Sequence, residues 1–81
     1  MSDTTAPQVI DQFAAAFETA RQRFADATKV SGYAAHELFT EAAAGFELAA
    51  TFTRDTVQRT KAHRYARSAY RNAADAWSFG A

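Results

Sequence analysis

The chain of 81 residues is long enough for one small domain and too short for two. Its formal net charge is zero and it has no cysteine, which excludes a disulfide framework and a thiolate metal site. No run approaches the roughly 20 apolar residues that span a bilayer, and the amino terminus lacks the basic-then-apolar pattern of a signal peptide. We therefore expect a cytoplasmic protein without a transmembrane segment.

Alanine is the most frequent residue, and it is also the best helix former. Leu, Ile and Val are scarce, so the seven phenylalanines supply most of the large apolar side chains. A buried phenylalanine contributes about 1.5–3 kcal/mol, whereas a buried alanine returns little. The composition predicts an all-α fold with a thin core that depends on contacts outside the monomer. We expect a homo-oligomer or an adsorbed state.

The zero net charge conceals an uneven distribution along the chain. Residues 1–53 carry seven acidic and three basic side chains, a net charge of −4. Residues 54–81 carry six basic and two acidic side chains, a net charge of +4. The two halves can pair with each other, pair with a neighbouring chain, or form separate solvated faces.

The first predicted helix covers residues 6–30. Thr5, Pro7 and Gln8 have the form of a capping box with proline in the first turn. Apolar residues then recur at spacings of three and four, which is typical of the heptad seam of a coiled-coil-like helix. The members of this seam are Ile10, Phe13, Phe17, Ala20, Phe24 and Ala27.

Ser31 and Gly32 predict a turn into a second, antiparallel helix over residues 33–53. Two neighbouring apolar stripes give this helix a face wider than a two-stranded seam. Gly45 lies between two alanines on one stripe, which predicts a flat patch where another helix backbone packs closely. The two stripes contain Leu38, Phe39, Ala42, Ala43, Gly45, Phe46, Ala49, Ala50 and Phe52.

The apolar pattern weakens across residues 53–56. Asp55 and Gln58 have the form of a capping pair and predict the start of a third helix over residues 56–78. Because no Gly or Pro interrupts this stretch, one continuous helix over residues 33–77 stays open. We predict a single helical domain over residues 1–81, either a three-helix bundle or an antiparallel hairpin with one long arm. The third helix carries an all-alanine stripe, Ala62, Ala66, Ala69, Ala73 and Ala76.

No residue pattern indicates catalysis. His36 lacks the second histidine that a zinc-protease helix carries four residues on, because that position is Thr40. His63 lies in a basic stretch without a nearby carboxylate, and the chain has neither a Gly-rich phosphate loop nor a cysteine nucleophile. We expect no catalytic residues, no metal and no cofactor, and a protein that acts by contact with a surface or a partner.

A basic face on the third predicted helix combines Lys61, Arg64, Arg67 and Arg71 with interleaved tyrosines. A row of cations of this kind is typical of phosphate contacts. The whole-chain pI of about 6.7 and the acidic first half both oppose nucleic-acid binding. Nucleic acid is therefore the weaker alternative, and pairing of this face within the chain or between subunits is favoured.

The phenylalanines and their aliphatic neighbours form a predicted apolar contact face. Amphipathic helices with such a face suit adsorption to an apolar phase as well as packing against a helical partner. The same side chains can instead pack on one another as the core of the domain. The face comprises Ile10, Phe13, Phe17, Phe24, Leu38, Phe39, Phe46 and Phe52.

Ala- and Phe-rich heptads cover residues 13–17 and 17–24, and residues 72–79 read Asn-Ala-Ala-Asp-Ala-Trp-Ser-Phe. In these segments the chain resembles the phasins, helical proteins that coat polyhydroxyalkanoate storage granules in bacteria. The closing run is similar to an Asn-Ala-Ala-Phe-Asp-Phe-type segment of that family.

The resemblance implies a non-catalytic, self-associating protein of the bacterial cytoplasm whose apolar face lies on the polyester granule. The chain departs from the family in being short, and it stops where many members continue through a further helical segment. The alternative from another class is a helical assembly or adaptor protein that binds a protein partner through the Phe/Ala face.

Overall fold

The structure, a computed structural model, describes residues 11–80. They form three α-helices, α1 (Gln12–Ala27), α2 (Gly32–Thr51) and α3 (Thr56–Gly80), and this range contains no strand. The helices pack as an antiparallel three-helix bundle, which confirms the all-α prediction and selects the bundle over the hairpin with one long arm. Thr5, Gln8 and Ile10, which carry the predicted capping box and the first seam position, lie outside the described residues.

Helix α1 is shorter than the predicted 6–30 within the described range. Asp11 is extended, and its Oδ1 accepts the Ala14 N–H at 3.0 Å, so it caps the helix at Gln12. At the other end the Thr28 hydroxyl donates to the Ala25 carbonyl at 2.6 Å. The last turn tightens to i→i+3 backbone bonds over residues 28–30, and the helix ends there. The described seam members all lie within α1, but the residue that caps the described helix is not one that the sequence pattern predicts.

The turn between α1 and α2 lies where the sequence predicts it. Ser31 is extended and precedes Gly32, whose φ of 65° lies in the left-handed region that favours glycine. The chain reverses within residues 28–31, which makes α2 antiparallel to α1. Any other residue at position 32 strains this turn.

The break between α2 and α3 excludes the continuous helix over 33–77. Oδ1 of Asp55 accepts the N–H groups of Val57 and Gln58 at 2.8 and 3.3 Å, which confirms the predicted capping role of Asp55. The Gln58 side chain does not reach back to Asp55. Its Oε1 accepts the Thr53 hydroxyl at 2.5 Å, so the turn is closed by a second side-chain bond.

The core contains few large side chains, as the composition predicts. Among the described residues only Phe46 is a large side chain that is completely buried, and Phe13 and Phe39 are nearly so. Helix α2 packs against both neighbours, whereas α1 and α3 meet mainly through side chains. The other buried positions are all alanine: Ala20, Ala27, Ala35, Ala42, Ala43, Ala49, Ala50, Ala62, Ala66, Ala69 and Ala73.

Candidate functional site

The predicted apolar contact face is divided between core and surface. Phe46 stacks edge-on against Phe17 at 5.0 Å between ring centroids, and Phe24 meets Phe39 in the same way at 5.1 Å. These four rings thus pack inside the bundle, with Phe17 and Phe24 only partly covered. Phe52, by contrast, is 41% exposed at the carboxyl end of α2. Of the remaining members, Phe13 is buried and Leu38 half-buried.

An exposed apolar groove runs between α1 and α2. It has a volume of about 390 Å³ and includes Leu48, which is 52% exposed, beside Phe52. Leu48 falls on neither predicted stripe of α2, so the sequence pattern misses it. We name this surface the Leu48 groove; its lining residues are Gln12, Ala15, Ala16, Thr19, Gly45, Leu48 and Phe52.

The predicted basic face is exposed along α3 at Lys61, Arg64, Arg67 and Arg71. Within the described part of the chain, none of these four side chains forms an ion pair. The two ion pairs present there, Arg21–Glu18 and Arg23–Glu41, both lie in the acidic half. In residues 11–78 the charged halves therefore do not neutralise each other through ion pairs, and the basic face points to solvent.

Both tyrosines of the basic stretch make contacts within the bundle. The Tyr70 hydroxyl donates to Oε1 of Glu47 at 3.1 Å and links α3 to α2. This hydrogen bond, more than the partial burial of the ring, raises the pKa of Tyr70 above its usual value. Tyr65 packs against Phe17 and Phe46, at 5.0 and 5.2 Å between ring centroids.

A second concavity, half-open, lies between α1 and α3 over the middle of α2. It has a volume of about 260 Å³ and forms because the backbones of α1 and α3 hardly approach each other. Aromatic rings form its walls, and arginines from both outer helices stand at its rim. We name it the Arg64 cleft; it is lined by Arg21, Phe24, Phe46, Arg64, Tyr65 and Ser68.

His36 has a structural contact. Its Nδ1 lies 2.9 Å from the Ala73 carbonyl oxygen, and because that oxygen can only accept, Nδ1 carries the proton. The imidazole also meets the Trp77 ring at 5.2 Å, and Tyr33 meets Trp77 at 5.7 Å. This contact joins the start of α2 to the end of α3. Across the described residues, no three His, Cys, Asp or Glu side chains cluster as a metal site requires.

Comparison with known proteins gives no relative from which to carry over a function. No family model, no curated protein and no solved structure matches the chain. Over the described range, none of the three helices combines the length and the apolar character needed to cross a bilayer.

Proposed function

We propose that this protein is a non-catalytic coat protein that self-associates and adsorbs to an apolar polymer surface, as the phasins do on polyhydroxyalkanoate granules. The observation that carries the proposal is the composition of the core. Three phenylalanines and eleven alanines fill the buried positions of the described residues, so the core consists of a few aromatic rings that pack on one another and on alanine methyl groups.

The phenylalanines of such a core can leave the interior of the bundle for another apolar environment. Each buried phenylalanine contributes about 1.5–3 kcal/mol relative to water, and a polyester surface offers the same removal from water. The alanines add little that holds the helices together. Transfer of the phenylalanine faces from the bundle to a polymer thus retains most of the apolar burial, while the charged faces stay in water.

The Leu48 groove supplies the first contact. Leu48 and Phe52 are exposed in the closed bundle and lie next to the turn at residues 52–55. Adsorption begins at this groove, and the bundle then opens at its two turns so that Phe17, Phe24 and Phe46 reach the surface. The Ala-rich helices suit this role because alanine has the highest helix propensity, which favours helices that stay formed with their apolar faces on the surface.

Sedimentation with polyhydroxybutyrate particles tests the proposal. We expect the wild type to adsorb and to remain bound at high salt, because apolar contacts are not screened. Leu48→Glu places a charge in the groove and reduces adsorption, whereas Ala44→Glu places the same charge on an exposed α2 position outside the groove and has little effect. Equal loss in both variants contradicts the role of the groove.

The same assay separates the two other functions. A protein that forms a defined oligomer in analytical ultracentrifugation and ignores the particles is an assembly or adaptor protein. A protein whose binding to a nucleic-acid probe falls steeply with added salt uses the basic face of α3. Either result, without particle adsorption, overturns the coat-protein proposal.

A further inference from the structure

The Arg64 cleft has the chemical character of a ligand site with an apolar body and a polar rim. Phe46 forms a fully buried base, and Phe24 and Tyr65 form walls that solvent still reaches. The Tyr65 ring is held in place by Phe17, whose ring centroid lies 5.0 Å away. Apolar clefts with few convergent polar groups are the usual form of small-molecule sites.

The charge at the rim is positive. Arg21 is neutralised by Glu18, to which its Nε and a terminal nitrogen donate at 3.0 and 2.8 Å. Arg64 has no carboxylate within ion-pair distance in the described residues, so its guanidinium is available to a ligand. Lys61 lies one helical turn before Arg64 on α3. Its ammonium is 5.1 Å from the centre of the Phe17 ring and adds to the positive potential at the rim of the cleft.

We propose that the Arg64 cleft binds a small amphipathic carboxylate, an unbranched acyl chain of medium length. The chain lies against Phe24 and Tyr65, above the buried Phe46, and the carboxylate accepts hydrogen bonds from the Arg64 guanidinium. A volume of about 260 Å³ holds roughly nine groups the size of a water molecule, which matches a ligand of this size. This assignment does not depend on the coat-protein proposal, because it concerns the closed bundle alone.

Calorimetric titration with octanoate, below its micelle concentration, tests the site. We expect saturable binding to one site that weakens about tenfold in Arg64→Gln, because the variant loses a charge-assisted hydrogen bond. Arg67→Gln is the matched control: it removes the same charge from the same helix, at a residue that does not line the cleft. If both variants lose the same affinity for octanoate, the loss comes from the lower overall charge, and the proposal is overturned.

Two further binding measurements test the ligand and the cleft separately. Octan-1-ol has the same chain without the charge, so comparable affinity for the alcohol overturns the assignment of a carboxylate. Ser68→Leu fills the cleft from its rim, where the serine is exposed, and leucine favours the helix more than serine does. This variant should stay folded by circular dichroism and lose octanoate binding. A folded Ser68→Leu protein that binds as the wild type does overturns the proposal.

Discussion

Gly45 on α2 lies so close to Ala20 on α1 that a Cβ built on the glycine stands 2.9 Å from the Ala20 Cβ. This is the close backbone approach that the small residues of α2 predict. We expect Gly45→Val to force the helices apart and to lower the free energy of unfolding by about 2 kcal/mol, as overpacked cores do.

The control for this prediction is Ala44→Val. It places the same side chain at the preceding, exposed position of the same helix, where only helix propensity changes, by about 0.5 kcal/mol. Urea denaturation followed by circular dichroism measures both variants. Equal destabilisation would mean that the contact with Ala20 does not limit the side chain at position 45.

Phe46 and Phe52 belong to one predicted face, but the structure gives them opposite environments. Phe46 is completely buried and Phe52 is 41% exposed. We expect Phe46→Ala to lower the free energy of unfolding by about 3–5 kcal/mol and Phe52→Ala to lower it by about 1 kcal/mol or less. Urea denaturation of the two variants checks this. Equal losses in the two variants would contradict the core position of Phe46.

The hydrogen bond from Tyr70 to Glu47 predicts an alkaline sensitivity of the contact between α2 and α3. Because the pKa of Tyr70 is raised in the folded state, its contribution is fully present below the usual value of 10.0 and is lost as the pH rises through the folded value. The wild type should therefore lose more stability above about pH 10 than Tyr70→Phe does. Urea denaturation at a series of alkaline pH values measures the difference. If the free energies of unfolding of the two proteins fall in parallel with pH, ionisation of Tyr70 does not weaken the fold.

Asp55 caps α3 through two backbone N–H groups, and its removal should shorten that helix. We expect Asp55→Ala to cost about 1 kcal/mol, within the range of lost N-caps. Asp75→Ala removes a carboxylate from the interior of the same helix, at an exposed position without a cap, and should be nearly neutral. Denaturation curves that coincide for the two variants would show that the cap does not contribute.

The positions of the helices follow from local chemistry and could be predicted. Apolar spacing places all three helices, and Gly32 and Asp55 mark the breaks because a positive φ and an N-cap are properties of single residues. Apolar spacing does not predict the early end of α1, because the last turn tightens to i→i+3 backbone bonds over residues 28–30 and the spacing carries no information on those bonds.

The surfaces were harder to predict, because they depend on which helix covers which face. Periodicity assigns Phe46 and Phe52 to two neighbouring stripes of one wide face of α2, but it does not show that α1 and α3 together cover only the first of these residues. The cleft beside Arg64 arises from the gap between α1 and α3, which meet mainly through side chains. Leu48 is exposed because it lies on a part of α2 that neither neighbouring helix covers. No arrangement of residues along one helix carries that information.

Opening of the bundle on an apolar surface is the central claim, and Arg23 and Glu41 allow it to be tested directly. Their side chains form an ion pair between α1 and α2, and the chain has no cysteine of its own. Arg23→Cys with Glu41→Cys can therefore be joined by a short bis-maleimide linker that holds α1 against α2. The same double variant with separately alkylated cysteines is the matched control.

Adsorption of these two preparations to polyhydroxybutyrate particles is the deciding measurement. We expect the separately alkylated protein to adsorb in a salt-resistant manner, and most of this adsorption to be lost when the linker joins α1 to α2. Equal adsorption of both preparations, or adsorption of neither, would contradict it.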